Sequence, residues 1–188
     1  MQQQLKKIEE YFQSLDAETR EALQKLAVRK TYRKGEFLLK QDEQGRCSFD
    51  IEAGIVRKYY LNDGKEVTTG LLFPGDLAIS FVAYTLQEPS KEYIQAVTEV
   101  VVAQLDYHGF QLLKNKYPKL VVLDLLLTEY HALWLESRLL ELRTLNAEDR
   151  YKQLVRSHPH IVQQVSLTHI ASYLGVTLET LSRIRARL

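Results

Sequence analysis

The first part of the chain carries apolar residues at helical spacing. From Leu5 to Leu26 they recur every three or four positions, the period of one face of an α-helix. Asp16 interrupts this stretch and is of a residue type that favours the N-cap of a helix. We therefore expect a helical lead-in, with a second helix starting after Asp16.

After Thr31 the pattern changes to short apolar segments separated by turn residues. Asn62-Asp63-Gly64-Lys65 predicts a tight hairpin, because Asp-Gly tolerates the positive φ of such turns, and Phe73-Pro74-Gly75-Asp76 predicts another turn. The predicted strands are Glu36 to Lys40, Ile55 to Leu61, Glu66 to Phe73, Tyr93 to Val97 and Val100 to Leu105. The last two are expected to close a second pair of strands. Such short strands indicate a small antiparallel barrel or sandwich.

The helical period then returns. A short helix is predicted from Phe110 to Tyr117, ended by Pro118, and a long one from Lys119 to about Arg143. The long helix has two apolar stripes: Val121, Leu125, Leu135, Leu139 and Leu142 on one side, and Leu123, Leu127, Tyr130 and Trp134 on the other. Burial on two sides favours a partner helix in a homodimer. A helix enclosed within a single chain is the alternative.

The segment from Ser166 to Ile184 has the residue order of a helix-turn-helix. Ser166 and Thr177 are suitable N-caps for two short helices, and Gly175 stands where the chain must turn between them. Ala171 is small enough for the two helices to cross closely. A small apolar core is predicted from Ile170, Leu174, Val176, Leu181 and Ile184. This arrangement presents the second helix to the major groove of DNA.

The core pattern leaves one face of the second helix for DNA. Arg183 can donate two hydrogen bonds to guanine, and Glu179 can accept one from a cytosine amino group. Because they stand four residues apart, they can instead pair with each other. The predicted DNA-binding residues are Ser166, Thr177, Leu178, Glu179, Ser182, Arg183, Arg185 and Arg187. Arg185 and Arg187 suit phosphate contacts, although cations are also common at the C-terminus of any helix.

This order of elements resembles the Crp/Fnr regulators, the catabolite activator protein family, over nearly the whole chain. The resemblance rests on the stretch from Ile170 to Ile184, the turn at Phe73-Pro74-Gly75-Asp76 and the strand region ending at Leu105. It implies an α+β fold and a homodimer joined through the long helix. It also implies that Glu179 and Arg183 match the base-reading residues of the family, whereas Leu178 stands where an arginine often occurs.

The resemblance also implies three regions along the chain. These are an N-terminal antiparallel β-roll of the cyclic-nucleotide-binding type at 1–117, a long dimerisation helix at 118–145, and a helix-turn-helix DNA-binding region at 146–188. The roll is expected to sense a signal and to bias the placement of the two recognition helices. A regulator of fixed DNA affinity is the simpler variant.

The predicted ligand pocket departs from the relatives that bind cyclic AMP. Those relatives follow the Gly-Asp turn with a Gly-Glu pair for the ribose and later an Arg-Ser pair for the phosphate. Here Ile79-Ser80 and Ser90-Lys91 stand at those places, so a charge-assisted phosphate contact is lost. We expect cyclic AMP not to be the ligand. The pocket residues under this resemblance are Gly75, Asp76, Ser80, Ser90 and Lys91, and the effector stays open.

Composition excludes several classes of protein. The single cysteine, Cys47, cannot form an internal disulfide or hold an iron–sulfur cluster. The start of the chain lacks the apolar stretch of a secretion signal, and the apolar run from Leu120 to Leu127 is too short to span a bilayer. We therefore expect a cytoplasmic protein without a membrane partner.

Charge and candidate chemistry add little to this picture. From Asn146 onward, six cations and three anions give +3, while the rest of the chain is slightly acidic, which hints at a polyanion such as double-stranded DNA. His158-Pro159-His160 has no further ligand at metal spacing, and no catalytic constellation is found, so neither a cofactor nor an enzyme is expected. The alternative function is a ligand-binding or protein-interaction module with a cyclic-nucleotide-binding-like domain and no DNA binding.

Overall fold

The computed structural model describes residues 2–187 and has eight strands and nine α-helices within that range. The strands are β1 (Val28–Tyr32), β2 (Phe37–Leu39), β3 (Cys47–Ala53), β4 (Val56–Asn62), β5 (Lys65–Leu72), β6 (Leu77–Ala78), β7 (Tyr93–Ala96) and β8 (Val100–Asp106). The helices are α1 (Gln2–Ser14), α2 (Ala17–Leu26), α3 (Phe81–Leu86), α4 (Tyr107–Lys116), α5 (Lys119–Thr144), α6 (Ala147–Ser157), α7 (Ile161–Gln164), α8 (Leu167–Leu174) and α9 (Leu178–Arg185).

The chain divides into two compact units, and each of them is built from two separate stretches of the sequence. One unit contains the residues up to Val28 together with Leu105–Thr144, and the other contains Arg29–Gln104 together with the residues from Leu145 onward. The division into regions 1–117, 118–145 and 146–188 is based on function and stays a prediction.

The first unit is helical and forms around one face of α5. Leu120 and Leu123 of that helix are buried against Phe110 and Leu15, and Leu127 packs at the edge of this cluster. Asp16 caps α2, as predicted, by accepting from the Thr19 amide at 2.9 Å. The predicted stripe on the other side of α5 is exposed in the single chain, with 42–60% of each residue accessible: Val121, Leu125, Leu135, Leu139 and Leu142.

The strands of the second unit form two four-stranded sheets, ordered β1-β8-β3-β6 and β2-β7-β4-β5. The predicted hairpin is confirmed: β4 and β5 pair along their length, and Asp63 and Gly64 have φ of 49° and 73°. The prediction that Tyr93 to Val97 and Val100 to Leu105 pair with each other is wrong. β7 pairs with β2 and β4, whereas β8 lies between β1 and β3, because the link between β7 and β8 carries the chain from one sheet to the other.

The C-terminal helices share one apolar core with part of the roll. Ile170, Leu174, Leu181 and Ile184 are at most 7% exposed, as their spacing predicted. The fifth predicted core residue, Val176, is only partly buried against them. The same cluster includes Ile55, Leu71 and Val97 from the strand region, together with Tyr151, Leu154, Ile161, Val165 and Ala171 from α6 to α8. Among residues 2–187, no helix is both long and apolar enough to cross a bilayer.

Candidate nucleic-acid interface

The turn between α8 and α9 is held by backbone hydrogen bonds. Ser166 caps α8 by accepting from the His169 amide at 3.2 Å. At the other end Gly175 has φ of 69°, and the Val176 amide donates to the Ala171 carbonyl at 3.0 Å. This is a Schellman ending, which favours glycine at the left-handed position. The capping roles inferred for Ser166 and Gly175 are therefore confirmed.

A side chain from α6 also holds this turn. Arg150 donates from Nε and Nη2 to the Leu174 carbonyl oxygen, at 3.1 and 2.9 Å. That carbonyl belongs to the last turn of α8, where backbone acceptors lack helical partners. Sequence patterns missed this role, because the acceptor is a backbone atom 24 residues away and no side-chain type marks it.

The second helix of the pair has a buried side and an exposed side. Thr177 caps α9 by accepting from the Thr180 amide at 3.2 Å. Leu181 and Ile184 face the core, at 0% and 7% exposure. The other predicted reading positions on this helix are all exposed: Leu178, Glu179, Ser182 and Arg183. The helix therefore offers a continuous polar face beside one leucine.

Glu179 and Arg183 are available to an external partner. Both side chains are exposed, and among residues 2–187 no ion pair is found between them. Arg185 and Arg187 extend the cationic end of this helix and are exposed too, as is Ser166 at the start of α8. One acidic and three basic side chains thus stand on or beside a helix of the length that a major groove admits.

The predicted pocket residues of the roll fall into three different environments. Gly75 and Asp76 form the predicted turn, where Gly75 has φ of 91° and the Asp76 carboxylate accepts from the Phe73 amide at 2.8 Å. Burial raises the pKa of Asp76, and the bond from Phe73 partly offsets that rise. Lys91 is exposed. Gly75 and Asp76 thus form a turn, and Lys91 faces solvent.

The other two pocket residues are buried and bonded to each other. Ser80 and Ser90 are 3% and 1% exposed, and their hydroxyl oxygens are 3.1 Å apart. Beside them Lys58 donates to the Ile79 carbonyl at 2.5 Å and lies 3.3 Å from a Glu92 carboxylate oxygen. Burial lowers the pKa of Lys58, and Glu92 opposes that shift.

Cys47 and His158 have ordinary structural roles here. Cys47 begins β3, and its sulfur accepts a hydrogen bond from Gln104 Nε2 at 3.0 Å. His158 stacks on Phe73 with ring centroids 3.4 Å apart. Within residues 2–187, no cluster of three or more His, Cys, Asp or Glu side chains is arranged to hold a metal ion.

Comparison with known proteins finds similarity to a domain model and to named regulatory proteins. The cyclic nucleotide-binding domain profile matches residues 29–117. The fumarate and nitrate reduction regulatory protein of Yersinia pestis is 27% identical over 171 residues, covering 85% of this chain and 68% of that protein. The anaerobic regulatory protein of Haemophilus influenzae is 28% identical over 174 residues, covering 85% of this chain and 66% of its own length.

Solved structures show the same fold at lower identity. FixK2 from Bradyrhizobium japonicum superposes with a TM-score of 0.73 at 22% identity, covering 86% of this chain and 84% of that one. The catabolite activator protein of Thermus thermophilus gives 0.58 at 22% identity, covering 95% and 85%. Residues 29–117 therefore match the cyclic nucleotide-binding domain model, and the chain is similar over most of its length to these regulatory proteins.

Proposed function

We propose that this chain is a cytoplasmic transcription regulator that binds double-stranded DNA as a homodimer and inserts α9 into the major groove. The observation that carries the proposal is the exposed pair Glu179 and Arg183 on a capped helix whose opposite side buries Leu181 and Ile184. The names of the curated relatives, which are regulatory proteins, support the same function.

The exposed residues divide into two kinds of DNA contact. Arg183 is assigned to guanine and Glu179 to a cytosine amino group, with Thr177, Leu178 and Ser182 beside them at the base edges. Arg185, Arg187 and Ser166 are assigned to phosphates, which fix the register of the protein but carry little sequence information. Leu178 can contact a thymine methyl group, so the preferred sequence should differ from that of relatives with arginine there.

The homodimer is proposed to form through α5. Its exposed stripe includes Leu135 at 50% and Leu139 at 60% exposure, and a second copy of the helix would bury both. A two-fold dimer places its recognition helices on half-sites of opposite orientation, about one helical turn apart. The site on DNA should therefore be approximately palindromic.

We propose that cyclic AMP is not the ligand of the roll. A cyclic phosphate needs a cation with free donors, whereas Lys58 is engaged by Ile79 and Glu92, and Ser80 is bonded to Ser90. The Glu92 carboxylate, 6% exposed, would add repulsion in a site of low dielectric. We therefore propose that an effector, if one acts on the roll, is chemically different. A regulator of fixed DNA affinity is the other variant.

Selection of bound duplexes from a random pool tests the function directly. We expect enrichment of a palindromic sequence with half-sites about one turn apart. Arg183→Ala should weaken binding to the selected duplex by about 1–3 kcal/mol and relax specificity at one position. Arg29→Ala is the control, because Arg29 is also exposed and belongs to β1 and not to the helix pair. Absence of enrichment, or equal behaviour of both variants, would instead support a module without DNA binding.

A further inference from the structure

One arginine of the roll is buried with its charge and reaches the helix pair. Arg57 on β4 is 1% exposed, and its Nε donates to Thr68 Oγ1 at 2.8 Å. Its Nη1 donates to Glu66 Oε2 at 2.7 Å, and the guanidinium lies 4.1 Å from the ring centre of Tyr59. A buried cation of this kind is held in one orientation by all its neighbours.

The same Nη1 atom contacts the first helix of the helix-turn-helix. It lies 2.9 Å from Nε2 of His169 on α8. Because a guanidinium nitrogen only donates, Nε2 must accept, and the imidazole must be neutral with its proton on Nδ1. Nδ1 is buried and has no hydrogen-bond partner among the described residues. The contact therefore requires one tautomer of a neutral histidine.

A second pair of hydrogen bonds joins the same surfaces. The Thr68 amide donates to Ser172 Oγ at 2.9 Å, and Ser172 Oγ donates to the Glu66 carbonyl at 3.2 Å. Ser172 stands one turn beyond His169 on α8, so two successive turns of the helix are bonded to β4 and β5. We call these five residues the polar clasp: Arg57, Glu66, Thr68, His169 and Ser172.

We infer that the polar clasp positions the helix-turn-helix for DNA, so that Arg57 and His169 set operator affinity without touching DNA. This inference rests on the proposed function. The clasp engages α8 only, and Glu179 and Arg183 on α9 stay exposed while it is formed. It therefore does not compete with DNA for the reading face. Holding the helix pair in one orientation before binding lowers the ordering penalty of association.

Protonation of His169 opposes the clasp. Its Nε2 faces Arg57 from β4, and Glu66 from β5 lies 3.9 Å away. A proton on Nε2 would point at the Arg57 cation, and the more distant Glu66 would offset that only in part. Burial, followed by Arg57, lowers the pKa of His169. Operator affinity should therefore fall as pH decreases from 7.5 towards 5.5.

The clasp is tested first without DNA. Nitrogen-15 NMR of the whole chain should show His169 as the Nδ1–H tautomer at pH 7.5. Thermal unfolding of Arg57→Met, His169→Leu and the double variant should show coupling between the two sites. The Nε2–H tautomer, or additive effects of the two substitutions, would overturn the clasp itself.

The positioning role is tested by fluorescence anisotropy with the duplex obtained by selection. We expect His169→Leu to weaken binding about fivefold to thirtyfold, corresponding to about 1–2 kcal/mol. His169→Gln should stay within about twofold of the parent, because its amide oxygen accepts from Arg57, and its affinity should not vary with pH. The matched control His160→Gln changes an exposed histidine and should keep the parent pH dependence.

The outcomes separate the two proposals. Unchanged or tighter binding by His169→Leu overturns the positioning role, since the clasp would then be structural or restraining. If the parent protein binds no duplex from the pool, the proposed function fails, and the positioning role fails with it. The NMR and coupling results still decide whether the polar clasp exists.

Discussion

Arg150 donates two hydrogen bonds to the carbonyl oxygen of Leu174, the residue that ends the first helix of the helix-turn-helix. A single side chain thus satisfies a backbone acceptor at the point where the chain changes direction. The bond joins α6 to the turn, so the angle between α8 and α9 depends on a residue that precedes both.

Replacement of Arg150 tests this dependence. Arg150→Met keeps much of the aliphatic stem but removes the donors, and we expect a loss of about 1.5–3 kcal/mol in the free energy of unfolding. Urea denaturation followed by circular dichroism measures it. Arg156→Met is the control, because Arg156 is an exposed arginine on the same helix. Equal stability of the two variants would contradict the assigned role.

Gly175 should be the least replaceable residue of the turn. Its φ of 69° is left-handed, so Gly175→Ala should lower the free energy of unfolding by about 1–2 kcal/mol. Gly175→Asn should lower it less, because asparagine tolerates this region. Gly70→Ala is the comparison, since a Cβ there meets Lys58 Cβ at an ordinary 3.6 Å. The prediction fails if Gly175→Ala is as stable as the parent in chemical denaturation.

Stability should depend on pH through two histidines. Burial lowers the pKa of His158 and of His169 below the usual 6.5. The unfolded chain therefore binds more protons than the folded one below about pH 6.5, and the free energy of unfolding falls as pH decreases through that range. Denaturation at a series of pH values measures the slope. The double variant His158→Phe, His169→Gln should reduce it, and an unchanged slope would show that other groups cause it.

The exposed stripe of α5 should decide the oligomeric state. Leu139→Asp places a charge where a second copy is proposed to pack, and we expect at least about tenfold weaker dimerisation, because an unpaired charge is expensive to bury. Sedimentation velocity reports the change. Leu86→Asp is closely matched, since Leu86 on α3 is also 60% exposed. If Leu139→Asp remains as dimeric as the control, the dimer does not form through this stripe.

Cyclic AMP should give no saturable heat in isothermal calorimetry at micromolar concentrations. The physical reason is that Lys58, the buried lysine beside Ser80 and Ser90, is already engaged by Glu92 and the Ile79 carbonyl. A second measurement, thermal unfolding with and without the nucleotide, should show no shift. A stoichiometric heat with a thermal shift would reverse this conclusion.

Local signals predicted much of the fold. The Asp63-Gly64 turn fixed the hairpin, and Ser166, Gly175 and Thr177 marked the ends of two short helices, because caps and positive-φ turns depend on a few neighbouring residues. The exposed reading face followed from the spacing of Leu181 and Ile184. These features are encoded within a few residues of each other.

Long-range relationships were not predictable in the same way. Nothing local to β7 or β8 specifies that they join different sheets, since the pairing partners lie tens of residues away. Three strands (β1, β3 and β6) and three helices (α3, α6 and α7) were also missed. An arginine at position 57, inside the predicted strand from Ile55 to Leu61, is a sequence signal of a special environment, but only the fold shows that His169 lies 2.9 Å from it. Tertiary contacts override local propensity at such places.

The apolar cluster shared by Ile55, Leu71, Val97 and the last four helices has a thermodynamic consequence. A domain joined by a flexible linker unfolds independently, but elements that share one hydrophobic core unfold together. Differential scanning calorimetry should therefore record the roll and the C-terminal helices in a single transition.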